Sequence, residues 1–117
     1  MRFMVIKRDL YINQLRNFIN KPVIKVLTGI RRSGKSSILM LLRDEFLNQG
    51  INDNHIIYVN FESMNYSEIT KARALHQYVK GKIVDNARYY LLFDEIQEVE
   101  EWEKAINSFL VDFNVDI

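Results

Sequence analysis

Cysteine is absent from this sequence of 117 residues, and proline occurs once, at Pro22. Without thiols, disulfides and thiolate metal sites are excluded, and a reducing compartment is compatible with the composition. No apolar run approaches bilayer length. The four apolar residues ahead of Lys7 and Arg8 in MRFMVIKRD are too few for a secretory signal core, so a soluble, cytoplasmic protein with no membrane partner is expected. Repeats, low-complexity tracts and linkers are missing too. The two histidines, His55 and His76, have no second metal-ligand type at a suitable spacing and read as structural. Glycine is scarce, with four in the chain, yet two of them, Gly29 and Gly34, stand five positions apart.

What is present is enough apolar content, 48%, to bury the core of one domain. The net charge of +1 hides an asymmetry. Residues 1–43 hold ten Lys or Arg against the single acid Asp9, and residues 44–117 hold six against fourteen acids. A basic segment of that kind suits nucleic acid or a phosphate-rich small ligand, or simply folds against the acidic half.

Asp9 is placed to cap a helix whose Tyr11, Leu15, Phe18 and Ile19 share a face, and Pro22 closes it. VIKVLT, Val23 to Thr28, has the β-branched, apolar character of a strand covered on both faces. The segment after Gly34 predicts a helix that is apolar almost all round from Ile38 to Leu42, hence deeply packed, and that ends near Gly50. HIIYVNF, His55 to Phe61, predicts a second strand. A helix is then expected from Asn65, with Glu68 completing a capping box and Ala72, Leu75, His76 and Val79 on its inner face. YYLLFDE, Tyr89 to Glu95, predicts a third strand, and EEWEKAINSFL a helix with Trp102, Ile106, Phe109 and Leu110 on one side. The final VDI opens a fourth strand. Strands alternating with helices imply an α/β fold with a parallel sheet flanked by helices.

Gly29 to Ser36 reads G-I-R-R-S-G-K-S. It matches the phosphate-loop pattern GxxxxGK[ST] at every fixed position, after a predicted strand and before a predicted helix. At average composition a chance match in a chain of this length is on the order of 0.4%, so a nucleotide site is the expected reading. Gly29 and Gly34 permit turns that a Cβ would oppose and bring successive N–H groups to phosphate oxygens. The positive end of the following helix adds to the anion site. The binding segment is Gly29, Ile30, Arg31, Arg32, Ser33, Gly34, Lys35, Ser36 and Ser37. Lys35 is expected at the β and γ phosphates, Ser36 as a magnesium ligand, and Ser37 near the α phosphate. The long side chains of Arg31 and Arg32 must point outward, to solvent or a partner. Asp94 and Glu95 end an apolar strand, the Walker B arrangement, in which Asp94 holds Mg²⁺ and Glu95 orients or deprotonates an attacking water.

LTGIRRSGKSS together with YYLLFDEIQEVEEWEKAI resembles the nucleotide-binding core of AAA-type ATPases. In particular, it is similar to prokaryotic ATP-binding proteins whose Walker B region reads DEIQ with a tryptophan a few residues later. It runs from about Arg8 to the end. Asp94, Glu95, Ile96, Gln97 and Trp102 carry the narrower similarity. It implies a three-layer P-loop NTPase fold, truncated at the start of the fourth strand, with residues 1–117 as the N-terminal part of one ATP-binding domain. It implies ATP and Mg²⁺ as cofactors, Lys35 and Glu95 as catalytic residues, and Ser36 and Asp94 at the metal. By the same likeness a polar residue at the end of the second strand, Asn60, restrains the catalytic glutamate. The sensor and arginine finger of such ATPases fall beyond Ile117, as does their C-terminal domain. The fragment is therefore expected to bind nucleotide with little turnover, and its incomplete sheet to self-associate.

Three other functions fit the loop. A GTPase would carry a glycine shortly after the Walker B aspartate, and DEIQE has none. A small-molecule kinase would not need Glu95 for water. A non-hydrolysing nucleotide switch or DNA-associated scaffold remains compatible with the basic N-terminal segment, although the net charge gives nucleic-acid binding no support.

Overall fold

The structure, a computed structural model, describes residues 3–7, 24–28 and 32–117, with side chains from Leu39 onward. The expected Asp9-capped helix, its end at Pro22, and Gly29, Ile30 and Arg31 lie outside the described residues. The chain divides into two compact units, residues 1–53 with 116–117 and residues 54–115.

In the first unit, β1 (Phe3–Lys7) and β2 (Ile24–Thr28) form a parallel pair. Their register runs from Phe3 opposite Ile24 to Lys7 opposite Thr28. The sequence reading anticipated β2 and missed β1. Its signal was the apolar run Phe3 to Ile6, weighed only as a secretion signal, whereas four apolar residues suffice for one short strand.

Helix α1 (Arg32–Asn48) follows. Gly50, at φ +89°, supplies the left-handed residue that ends it, and Ile51 N–H returns to the Phe46 carbonyl at 3.0 Å. The helix is not apolar-buried all round. Leu39, Leu42 and Phe46 are buried, but Met40 is 41% and Leu41 53% exposed. Successive residues turn by about 100°, so only the i, i+3, i+7 stripe faces inward. Arg43 then fixes the segment after the helix by pairing with Asp53 at 2.8 Å.

The second unit holds β3 (Ile56–Asn60), α2 (Ala72–Lys82), β4 (Tyr89–Asp94) and α3 (Trp102–Asp112). Strand β3 pairs in parallel with β4, Ile56 opposite Tyr90 through Asn60 opposite Asp94. The short β5 (Val115–Asp116) takes the far side of β4, where the sequence expected a fourth strand to open, giving the order β3-β4-β5. The architecture is the expected α/β one, with a three-stranded parallel sheet flanked by helices. Among the described residues, no helix is long and apolar enough to cross a membrane.

The core of this unit is built from β4 and the inner faces of both helices. Tyr89, Leu75, Val79 and Phe109 are fully enclosed. The buried Tyr89 hydroxyl accepts a hydrogen bond from Val84 N–H at 3.2 Å, which offsets the cost of enclosing it. Both histidines pack as structural groups. His76 stacks on Phe109 at 5.7 Å with Nε2 3.6 Å from Asp112, and His55 meets the edge of Tyr89 at 4.9 Å and Asp85 at 3.5 Å.

The expected helix start at Asn65 is corrected. Residues Met64–Tyr66 form one 3₁₀ turn, capped by Ser63 Oγ accepting from Asn65 N–H at 3.2 Å, and α2 begins only at Ala72. Its start is set across the fold. Ala72 N–H donates to the Glu100 carbonyl at 3.0 Å and Glu100 N–H to that of Thr70 at 2.8 Å, a small ladder no local capping signal encodes. Ile106, 1% exposed on α3, tests this core. Ile106→Val removes one buried methyl, so the urea midpoint should fall by the equivalent of about 0.5–1.5 kcal/mol. Val111→Thr on the same helix, where Val111 is 77% exposed, should leave the midpoint within error.

Candidate functional site

Two sequence-predicted clusters bear on function, one in each unit. In the first, the glycine-lysine-serine segment follows a strand and runs into a helix that begins earlier than expected, at Arg32 and not after Gly34. Strand β2 stops at Thr28, and α1 is already helical at Arg32. The helix therefore starts inside the motif, with Arg32, Ser33, Gly34 and Lys35 as its first turn. The N–H groups at the mouth of such a helix have no intrahelical acceptor and carry its positive dipole end. No acidic residue occupies that turn, so nothing there competes with an incoming anion.

In the second unit, parallel pairing sends the carboxyl ends of β3 and β4 to the same edge, where Asn60 lies opposite Asp94. Asp94 is 2% exposed, an acid held at the end of a strand whose preceding residues are nearly all buried. The chain bends sharply there. Phe61 N–H donates to the Asp94 carbonyl at 3.0 Å, and Glu95 takes a left-handed conformation, φ 59° and ψ 43°. A non-glycine residue in that region costs of order 1–3 kcal/mol and persists where the surroundings hold it. Here they do. Glu95 opens the 3₁₀ turn Ile96–Glu98, closed by Glu98 N–H to the Glu95 carbonyl at 3.2 Å and Val99 N–H to that of Ile96 at 2.9 Å.

This turn folds the DEIQ segment onto itself. The Gln97 side-chain amide donates from Nε2 to Glu95 Oε2. The carboxylates of Glu62, Glu95 and Glu98 gather with ligand oxygens within 4.8 Å of one another. At Asn60, Oδ1 accepts from Glu62 N–H at 3.0 Å, forming a side-chain turn after β3. Sequence reasoning passed over Gln97 as a site residue. The one available signal was a glutamine two places after a strand-end Asp-Glu pair, which no spacing rule converts into a contact.

The turn is anchored at its far end as well. Val99 is buried, and Glu100 joins the ladder to Thr70 and Ala72. Glu101 also adopts a left-handed conformation, φ 57°, as α3 begins. Hydrogen bonding to Lys104, at 2.7 Å, and its charge hold the Glu101 carboxyl below the usual glutamate range and raise Lys104 above the usual lysine range.

Comparison with known proteins agrees in kind. Residues 21–117 match the model of a family described as an AAA domain. An uncharacterized protein of Haemophilus influenzae is 43% identical over 114 residues, covering 97% of this chain and 28% of that protein. The uncharacterized protein MJ1544 of Methanocaldococcus jannaschii is 33% identical over 102 residues, 87% of this chain and 21% of its own length. The chain thus spans about a quarter of these relatives. No solved structure matches it.

Proposed function

The chain belongs to this AAA domain family, and from that premise we propose that it binds ATP with Mg²⁺ and, in its full-length protein, hydrolyses it to drive a conformational change. One observation carries the reading: G-I-R-R-S-G-K-S bridges the end of β2 and the first turn of α1, the context in which that spacing makes a polyphosphate cradle. Gly29 to Ser37 supply N–H groups to the phosphates, and Lys35 adds a point charge at the β and γ phosphates. Ser36 and Asp94 would hold Mg²⁺. When bound, that ion neutralises phosphate charge as the bridging bond lengthens.

Glu95 is the water-activating base. Water oxygen forms the new bond to the γ phosphorus, the bond to the bridging oxygen of ADP breaks, and the water proton passes to Glu95. The left-handed backbone at Glu95 supports this role, because it turns the side chain of an acid directly following Asp94 away from ordinary strand alternation.

The test is a titration of ATP, GTP and ADP against the full-length protein with and without Mg²⁺, with phosphate release followed with and without DNA. ATP and ADP should bind. Free inorganic phosphate should be released, and chelation of Mg²⁺ should stop that release. Transfer of phosphate to an acceptor hydroxyl would favour a kinase instead. ATP binding without any release would favour a nucleotide-gated switch.

A further inference from the structure

Beyond the acid–metal pair, we propose that Gln97 is the positioning residue for Glu95, holding its carboxylate through the side-chain amide while the turn around it fixes both ends of the contact. The proposal rests on the assignment of Glu95 as the base and names the group that aims it.

Glu95 sits in a difficult environment. Its carboxylate is within 4.8 Å of those of Glu62 and Glu98. Like charges at that distance push one another apart, so an unrestrained Glu95 would swing toward solvent. A restraining group must donate to the carboxylate without adding a full positive charge, since an ammonium or guanidinium would pair with the base and weaken it. A primary amide meets that requirement, having two N–H donors and no net charge. Gln97 Nε2 donates to Glu95 Oε2.

Asn60, the other amide at this sheet edge, is turned to another task, with Oδ1 accepting from Glu62 N–H at 3.0 Å. That bond places the backbone carrying Glu62, and the amide that donates to Glu95 is that of Gln97. The position of Gln97 is itself determined. It is the middle residue of the Ile96–Glu98 turn, in which Glu98 N–H donates to the Glu95 carbonyl and Val99 N–H to that of Ile96. Beyond it the chain is pinned by buried Val99 and by the Glu100 pairing with Thr70 and Ala72. Donor and acceptor are two positions apart, so the turn sets the contact, and the pinned Val99 and Glu100 hold the turn.

The first measurement needs no turnover. In the ¹⁵N-labelled full-length protein without nucleotide, the side-chain amide resonance of Gln97 should move toward that of a free glutamine when Glu95 is changed to Ala. An unmoved resonance overturns the contact. The second is kinetic. Gln97→Leu removes both donors on an exposed turn. It should lower kcat about 3- to 10-fold, the scale of one lost hydrogen bond, with ATP affinity unchanged. In a Glu95→Gln background the same change should add no further loss in single-turnover rate. A full additional loss there, or an unchanged kcat in Gln97→Leu alone, overturns the positioning role while leaving the base assignment intact. Wild-type turnover in Glu95→Gln alone would remove the base assignment, and the proposal with it.

Discussion

Glu95→Gln should slow phosphate release by the full-length protein about 100- to 10,000-fold while ATP remains bound, the range spanned by loss of a positioned general base. The substitution keeps the length and branching of the side chain, and glutamine meets the same left-handed backbone at φ 59° as the glutamate does. The 3₁₀ turn and the burial of Val99 should therefore persist. What changes is proton acceptance, because an amide does not take the proton of an attacking water. Single-turnover phosphate release read beside equilibrium binding separates the two effects. A variant that loses binding and turnover together would show that Glu95 holds the site together and is not the base.

Lys35→Ala should lose both. Truncating one partner of a charged, hydrogen-bonded pair costs about 2–5 kcal/mol, so ATP affinity should fall by about 30-fold or more, and turnover at a fixed subsaturating ATP concentration should fall with it. Lys35 lies in the first turn of α1, a turn that also contains Arg32 and holds no acidic residue. Without an anion these charges and the helix dipole repel one another, so the substitution should leave the melting temperature of the nucleotide-free protein unchanged or raise it. The stabilisation that saturating ATP confers on the parent should largely disappear. A lower melting temperature without nucleotide, together with an intact ATP-induced rise, would assign Lys35 to structure. The contrast between the two variants separates polyphosphate capture from water activation.

The elements read most securely from sequence were those whose pattern is local. The β-branched run Ile24 to Thr28 formed a strand, as did the apolar runs Ile56 to Asn60 and Tyr89 to Asp94, whose side chains are buried on both faces of a parallel sheet. Trp102 to Asp112 formed a helix with Ile106 and Phe109 inside, as its 3.6-residue spacing requires. Gly50 ended α1 because a left-handed residue is cheapest without a Cβ. Two features misled. The Asn65 and Glu68 pair has the spacing of a capping box, yet Ser63 captured the local N–H and the cross-loop ladder delayed α2 to Ala72. Ile38 to Leu42 looked apolar all round because composition was read without rotating it about the helix axis, which leaves Met40 and Leu41 exposed.

The sequence by itself determined the α/β class, the family, and the spacing of Gly29, Gly34, Lys35 and Ser36, since backbone freedom and charge at fixed chain positions need no partner from elsewhere. Tertiary structure decided which side chains meet around Glu95. Parallel register set Asn60 opposite Asp94, the Ile96–Glu98 turn returned Gln97 to Glu95, and Glu62 arrived from the neighbouring strand's loop. Hydrogen bonds such as that of Ala72 with Glu100 join residues far apart in the chain, and that is why no local pattern announced them.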